Sequence, residues 1–323
     1  MASGSSISIS GGTNMTQVVA GTDLIDADDF NNARLNVNRL LSGAQDVTLG
    51  TYTASSTYGW NQGGAGVSAA SAGATVQDTG AGGFKDLQDD VQAMCAFLGV
   101  SVRSGVGSDV TTSDTIQAST WNNLMLNIQD CWNDRFGPAS RTASTDGSTN
   151  RTSAWTNTLT QETTWTFSSE GACRAFFNGG GAVGMSASRS GGSSHDQNTQ
   201  WTNKLSAVSD VFLYYNTTTA SAGTSAGIGF YELTTSYQQI LIYYGGSSPY
   251  TSDYIQVNAR VNSTTNPTVV YIQTKLLDAG DNVLDQNVDG TLTINARRNQ
   301  PNANGSGFSF ATPTDSVGSI SGS

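Results

Sequence analysis

The spacing of apolar residues changes period once along this chain, and that change limits the folds open to it. Up to about residue 137 apolar residues return every three or four positions; beyond residue 160 they return every second. Phe30, Ala33, Val37 and Leu40 lie on one face of a helix that Asp26 caps and Gly43 stops. Phe84, Leu87, Val91, Met94 and Leu98 predict a second helix closed by Gly99. A third begins near Ala118, carries Trp121, Leu124, Met125, Ile128, Cys131 and Trp132, and stops at Gly137-Pro138. In the second half, Ile255, Val257, Ala259 and Val261 alternate cleanly, as do residues 291–297. Further strands are expected at Thr163–Phe167, Cys173–Phe177, Ala182–Ala187, Val211–Tyr215, Ile228–Leu233, Tyr237–Tyr244 and Val269–Leu276.

These patterns predict an α+β chain: an N-terminal helical region followed by a C-terminal antiparallel β-sandwich. The expected parts are an extended arm at 1–20, a helical docking or oligomerisation domain at 21–138 and a polar linker at 139–160. A sandwich domain follows at 161–300, with a tail at 301–323. The last twenty residues, Asn304–Ser323, have few apolar side chains and are expected to order only against something else.

The helical region contains a phrase that occurs twice, 91 positions apart. Asp23-Leu24-Ile25-Asp26-Ala27-Asp28-Asp29-Phe30-Asn31-Asn32 returns as Asp114-Thr115-Ile116-Gln117-Ala118-Ser119-Thr120-Trp121-Asn122-Asn123, and Leu35-Asn36 returns as Leu126-Asn127. Matched helix starts with matched apolar faces point to an assembly unit rather than an active site. Between the copies lies a Gly/Ala/Ser-rich stretch, 43–83, which is long for a connection within a compact domain and suggests contacts with a partner chain.

Composition narrows the function classes. Only 12% of residues are charged, and 37 are glycine; neutral hydroxyl and amide side chains suit short strands and tight turns. A net charge of −11 with only 14 basic residues argues against nucleic acid, which needs clustered Lys and Arg, and against an anionic membrane surface. No run of 18 apolar residues and no leader pattern is present, so a soluble chain made in a cytoplasm is expected, with no membrane insertion. Asn-x-Ser/Thr triplets such as Asn216-Thr217-Thr218 are then accidents of composition. Cys95, Cys131 and Cys173 form neither a metal pattern nor a disulfide framework, and Cys131 reads as a buried thiol.

Chemistry-bearing motifs are few. His195 is the only histidine, and adjacent Ser194, His195 and Asp196 cannot fold back into a triad; a polar loop is the expected setting. Asn178-Gly179-Gly180-Gly181 leads into an apparent strand rather than a helix, so a hairpin turn is expected instead of a phosphate cradle. The acidic stretch Asp278–Gly290 lacks the order of a calcium loop and reads as turns. No catalytic group, cofactor or metal site is assigned. Tyrosines crowd the second half, and Tyr243 and Tyr250 are the candidates for stacking on glycan rings.

The phrase Ile-x-Ala-x-x-aromatic-Asn-Asn, twice, with Tyr58-Gly59-Trp60-Asn61-Gln62 between the copies, resembles structural proteins of tailed bacteriophages, notably those of cyanobacterial hosts. Arg174-Ala175-Phe176-Phe177-Asn178-Gly179-Gly180-Gly181, Met185-Ser186-Ala187-Ser188-Arg189, Asn198-Thr199-Gln200-Trp201-Thr202-Asn203-Lys204-Leu205 and Val288-Asp289-Gly290-Thr291-Leu292 resemble, in that order, the β-rich remainder of the same proteins. The resemblance spans roughly residues 20–300. It implies a non-enzymatic virion protein, assembled in the host cytoplasm as a subunit of a fibre-like tail, neck or baseplate appendage. A homo-oligomer docked on other virion structural proteins is expected, with Phe30, Met94, Trp121 and Trp132 building the helical core and the contacts between subunits, and Trp60 a further interface candidate. The alternatives are a receptor-binding module for host surface glycan, using Tyr243 and Tyr250, and a head decoration protein.

Overall fold

A computed structural model describes residues 5–322, apart from 11, 22, 49–50, 55–58, 64–69, 72–82, 109, 112–113, 280–286 and 303–306. The chain is a mixed α+β protein with antiparallel sheets. It divides into two compact units, Met1–Ser140 with Asn302–Phe310, and Arg141–Pro301 with Ala311–Ser323. The backbone therefore passes from one unit to the other three times.

The first unit contains β1 (Ser6–Ile7), β2 (Met15–Thr16), α1 (Ala27–Ser42), β3 (Ala44–Thr48), β4 (Thr51–Ala54), α2 (Phe84–Leu98) and α3 (Ala118–Asn133). Helix α1 starts with a capping box: Asp26 accepts the Asp29 N–H while Asp29 accepts that of Asp26. It ends at Gly43, in the left-handed region at φ 74°. Phe30, Val37, Leu40, Leu87, Val91, Met94, Trp121, Leu124 and Ile128 from the three helices form one core.

Residues expected as an extended arm instead belong to this core. β1 and β2 pair as a hairpin, and Ile7, Ile9, Met15 and Val18 are buried in the same cluster. The expected tail divides between the units. Phe308 is buried and Phe310 packs beside it in the first unit, both against Phe97.

The second unit contains β5 (Arg141–Arg151), β6 (Thr158–Thr166), α4 (Glu170–Asn178), β7 (Ala182–Ser190), α5 (Asp196–Val208), β8 (Asp210–Leu213), β9 (Thr218–Thr219), β10 (Thr224–Ser225), β11 (Gln238–Tyr243), β12 (Tyr254–Val261), β13 (Val269–Leu277), β14 (Thr291–Pro301), β15 (Thr314–Val317) and β16 (Ser321–Gly322). One sheet runs β10-β11-β12-β13-β6-β15, with β16 also on β6; the other runs β5-β14-β7-β8-β9. The inward residues Ile255, Val257, Ile272 and Leu276 of the first sheet share a core with Val183, Met185, Leu292 and Ile294 of the second, and with Phe176 and Trp201 of the helices.

Several expectations are corrected here. The polar stretch 139–160 is not a linker: β5 fills 141–151 and β6 starts at 158. Cys173–Phe177 is helix, because Ser169 caps the N–H of Ala172 at 3.1 Å and Glu170 pairs with Arg174 one turn on at 2.7 Å. Asn178–Gly181 is consequently the exit of α4 into β7, not a hairpin turn. Ile228–Leu233 holds a single 3₁₀ turn, Phe230–Glu232. The tail after residue 310 is held by β6, which pairs with both β15 and β16.

Candidate functional site

The duplicated phrase resolves into two sets of asparagine clamps. Asn31 and Asn122 occupy equivalent positions in α1 and α3. Asn122 accepts the N–H of Val18 at 2.8 Å and donates to the Val18 carbonyl at 3.0 Å. Asn31 does the same to Ala70, at 2.9 Å both ways. Each carboxamide copies one rung of a β-ladder, giving an extended segment both a donor and an acceptor. The second equivalent pair behaves alike. Asn36 accepts from Thr13 N at 2.9 Å and donates to Thr13 O at 2.7 Å. Asn127 accepts from Arg103 N at 3.0 Å and donates to Ser101 O at 3.0 Å. Asn36 and Asn127 are both wholly buried. The entry turns are similar but not identical: Asp23 accepts the N–H of Val19, four residues back, and Asp114 that of Thr111, three back, each at 2.8 Å.

The recurrence of Asn was visible in the sequence, although its role was not. Asn is a poor helix former, so four of them in repeated helical positions signal side chains with work to do on other backbone.

The large aromatic residues serve the same end. Phe30, Trp60, Trp121 and Trp132 are each at most 1% exposed, so they belong to the core and are closed to a partner subunit. The three indole N–H groups are also spent inside the chain. Trp121 donates to Thr16 O, Trp132 to Ser10 O at 2.8 Å, and Trp60 to Arg135 O at 3.0 Å. Burying an indole without such a partner would be costly. Around Trp60 the motif caps α1: Trp60 N donates to Leu40 O and Gln62 N to Leu41 O. Gly59, at φ 73°, makes this approach, and a Cβ there would lie 2.2 Å from Leu40 O. Tyr58 of this motif lies outside the described residues, as does most of the stretch 43–83. Cys95 and Cys131 are buried thiols with sulfurs 3.6 Å apart.

In the second unit the glycan candidates separate. Tyr250 is 5% exposed, and its carbonyl accepts the amine of Lys204, so its ring offers no stacking face. Tyr243 is half-buried against the core. The exposed ring is the neighbouring Tyr244, 53% exposed and edge-on to Tyr254 at 5.4 Å.

His195 ends the polar loop that precedes α5 and caps that helix, its Nδ1 accepting the Asn198 N–H at 3.4 Å. The hub beside it is Asp289. Its carboxylate accepts Ser193 Oγ–H at 2.5 Å, Ser193 N–H at 2.9 Å and the Asn198 amide, with Arg189 Nη2 at 3.3 Å. These hydrogen bonds, that of the Ser193 hydroxyl foremost, hold the carboxyl well below its usual range. Ser193 donates to the carboxylate and not to His195, whose Nε2 is 4.0 Å from Asp289, so the hydroxyl faces a weakly basic carboxylate and not the imidazole. This is a clasp between the start of α5 and the start of β14. The possible calcium stretch 278–290 lies partly outside the described residues, since 280–286 are not among them.

Among the described residues no three His, Cys, Asp or Glu side chains converge as a metal site, and no helix is long and apolar enough to cross a membrane. One dent of about 130 Å³ lies beside Arg174, Tyr231 and Pro267. Arg174 is committed there to Glu170 and to the Thr265 carbonyl at 2.9 Å, which pins the β12–β13 loop. No protein-family model, curated protein or solved structure matches the chain.

Proposed function

We propose that this protein is a non-enzymatic structural subunit of a phage virion, working by self-association and by docking to other virion proteins in a tail, neck or baseplate appendage. In this reading the first unit is a helical scaffold and the second an antiparallel β-sandwich. The observation that supports it best is the edge strand β5. Among the described residues, every other sheet edge in the second unit ends in a strand of two to four residues: β9, β10, β15 or β16. β5 runs for eleven residues, pairs among the described residues only with β14, and exposes side chains on both faces, save around Gly147, which lies against Asp315 and Val317 of β15. It carries no Pro or Lys, and its guards are a bulge at Asp146-Gly147 opposite Ala296 and the charges of Arg141, Asp146 and Arg151. A second chain adding there would gain backbone hydrogen bonds without needing an apolar groove.

The buried aromatic residues are assigned to stability, so contacts between subunits fall to this edge. The test is the mass of the particle in solution. Ser148→Lys with Asn150→Lys, two exposed positions on β5, should convert an oligomer to a monomer by light scattering while leaving circular dichroism unchanged. An unchanged oligomer, or a parent that is already monomeric, removes β5 as the assembly edge.

The alternative, a host-glycan module, is favoured only by the exposed Tyr244, edge-on to the half-buried Tyr254. Under that reading Tyr244→Ala would reduce adsorption to host cells without altering particle assembly.

A further inference from the structure

The second unit seals an amine and a carboxyl together. Lys204 lies on α5 and Asp253 immediately precedes β12, and each side chain is 1% exposed. Lys204 Nζ is 3.2 Å from Asp253 Oδ2 and also donates to the carbonyls of Tyr250 at 2.7 Å and Asp253 at 3.2 Å. The other carboxylate oxygen, Oδ1, accepts the Ala279 backbone N–H at 2.9 Å. Trp201 flanks the amine at 5.2 Å and packs edge-on against Trp155. A Cβ on Gly246 would fall 2.8 Å from Lys204 Cε, so the backbone closes in there too. Asp278, 2% exposed, accepts from Gln197 and Trp201 in the same buried cluster.

Such an enclosed ion pair is a weak stabiliser, because desolvation of both charges offsets most of their attraction. The enclosure instead suits a reaction. We propose that Lys204 and Asp253 condense into an intramolecular amide.

A proton first passes from the ammonium to Oδ2 across their 3.2 Å contact, giving a neutral amine and a neutral acid. The amine nitrogen, which already lies 3.2 Å from Oδ2, then attacks the adjoining Cγ. The negative charge develops on Oδ1, where the Ala279 N–H is in place to receive it. A proton moves from nitrogen to the Oδ2 hydroxyl, the Cγ–Oδ2 bond breaks, and water leaves. In sum, one ammonium and one carboxylate give one amide and one water, and no further reactant is required. The product removes two buried charges and fastens α5 covalently to the segment that enters β12.

Intact mass spectrometry of the full chain tests this. The expected mass is about 18 Da, one water, below that of the sequence. A chymotryptic digest should contain a branched peptide joining residues 204 and 253. Lys204→Arg keeps the positive charge but cannot form this amide, and should restore the full mass. Asp253→Asn should condense with loss of ammonia instead, about 17 Da. A parent chain at its full sequence mass overturns the proposal. So does a loss of water that maps to a cyclic imide at Asp146-Gly147 or Asp289-Gly290. If the variants fail to fold, the parent's mass and its branched peptide still decide the matter.

Discussion

Replacing Asn36 by Ala tests the clamp reading at its most buried point. The carboxamide is wholly enclosed and makes two hydrogen bonds to one residue, Thr13, at 2.9 and 2.7 Å. Each such bond contributes about 1 kcal/mol net, and stranding its partner groups adds to the loss, so about 2–3 kcal/mol is expected. In a unit of this size that corresponds to a fall in Tm of roughly 5–10 °C. The loss should be local in origin. Hydrogen exchange across residues 5–18, the β1–β2 hairpin, should accelerate before that of α2. Asn122 holds Val18 of the same segment from another helix, so Asn36→Ala and Asn122→Ala together should cost less than the sum of the two. Asn31 and Asn127 hold unrelated segments, and their alanine variants should add. A change below about 0.5 kcal/mol with unaltered exchange in the hairpin, or strict additivity of Asn36 with Asn122, would refute the reasoning.

Three further outcomes follow from the same geometry. Burial foremost, then the charges of Asp86 and Asp89, raises the Asp90 carboxyl to about 7 from 3.8. A raised folded value means that stability falls as pH climbs from about 4 to about 7, by about 1–2 kcal/mol once partial solvent screening is allowed for. Asp90→Asn should flatten that slope in urea melts at pH 5 and pH 8, and an unchanged slope would count against it. Asp289 is shifted the other way, so its contribution is present at neutral pH and lost as acid protonates it; Asp289→Asn should speed hydrogen exchange at Ser193 and Asn198 at pH 7 and abolish the acid-induced change there. Gly59→Ala meets both a left-handed backbone and the Leu40 carbonyl, and should lower stability by about 2 kcal/mol or more, read from the Tm of the first unit.

The helices α1, α2 and α3 were legible because each announces its face and its stops: Phe30 to Leu40 before Gly43, and Phe84 to Leu98 before Gly99. Strands β12, β13 and β14 were legible because one face is buried, so alternation is enforced. β5 left no such trace, since Arg141–Arg151 buries neither face and holds a single apolar residue, Ala143. The apolar run of α4 is too short for its period to be told from a strand. In α5, Trp201, Leu205 and Val208 do mark a helical face, and the acidic first turn at Asp196 supports it; that signal was present in the sequence. The clamps were half legible. The repeat displays Asn31 with Asn122 and Asn36 with Asn127, but their partners at 70, 18, 13 and 101–103 are brought near only by tertiary packing. The same holds for the aromatic residues: a Trp at a helical position reads equally as core or contact until its N–H is found on Ser10, Thr16 or Arg135.

The central claim is that the chain is part of a virus particle, and immunogold electron microscopy of purified particles tests it most directly. An antibody against residues 160–300 should label the neck, tail or baseplate at regular positions. Label confined to the head would make this a decoration protein, and particles that contain none of the chain would contradict the account.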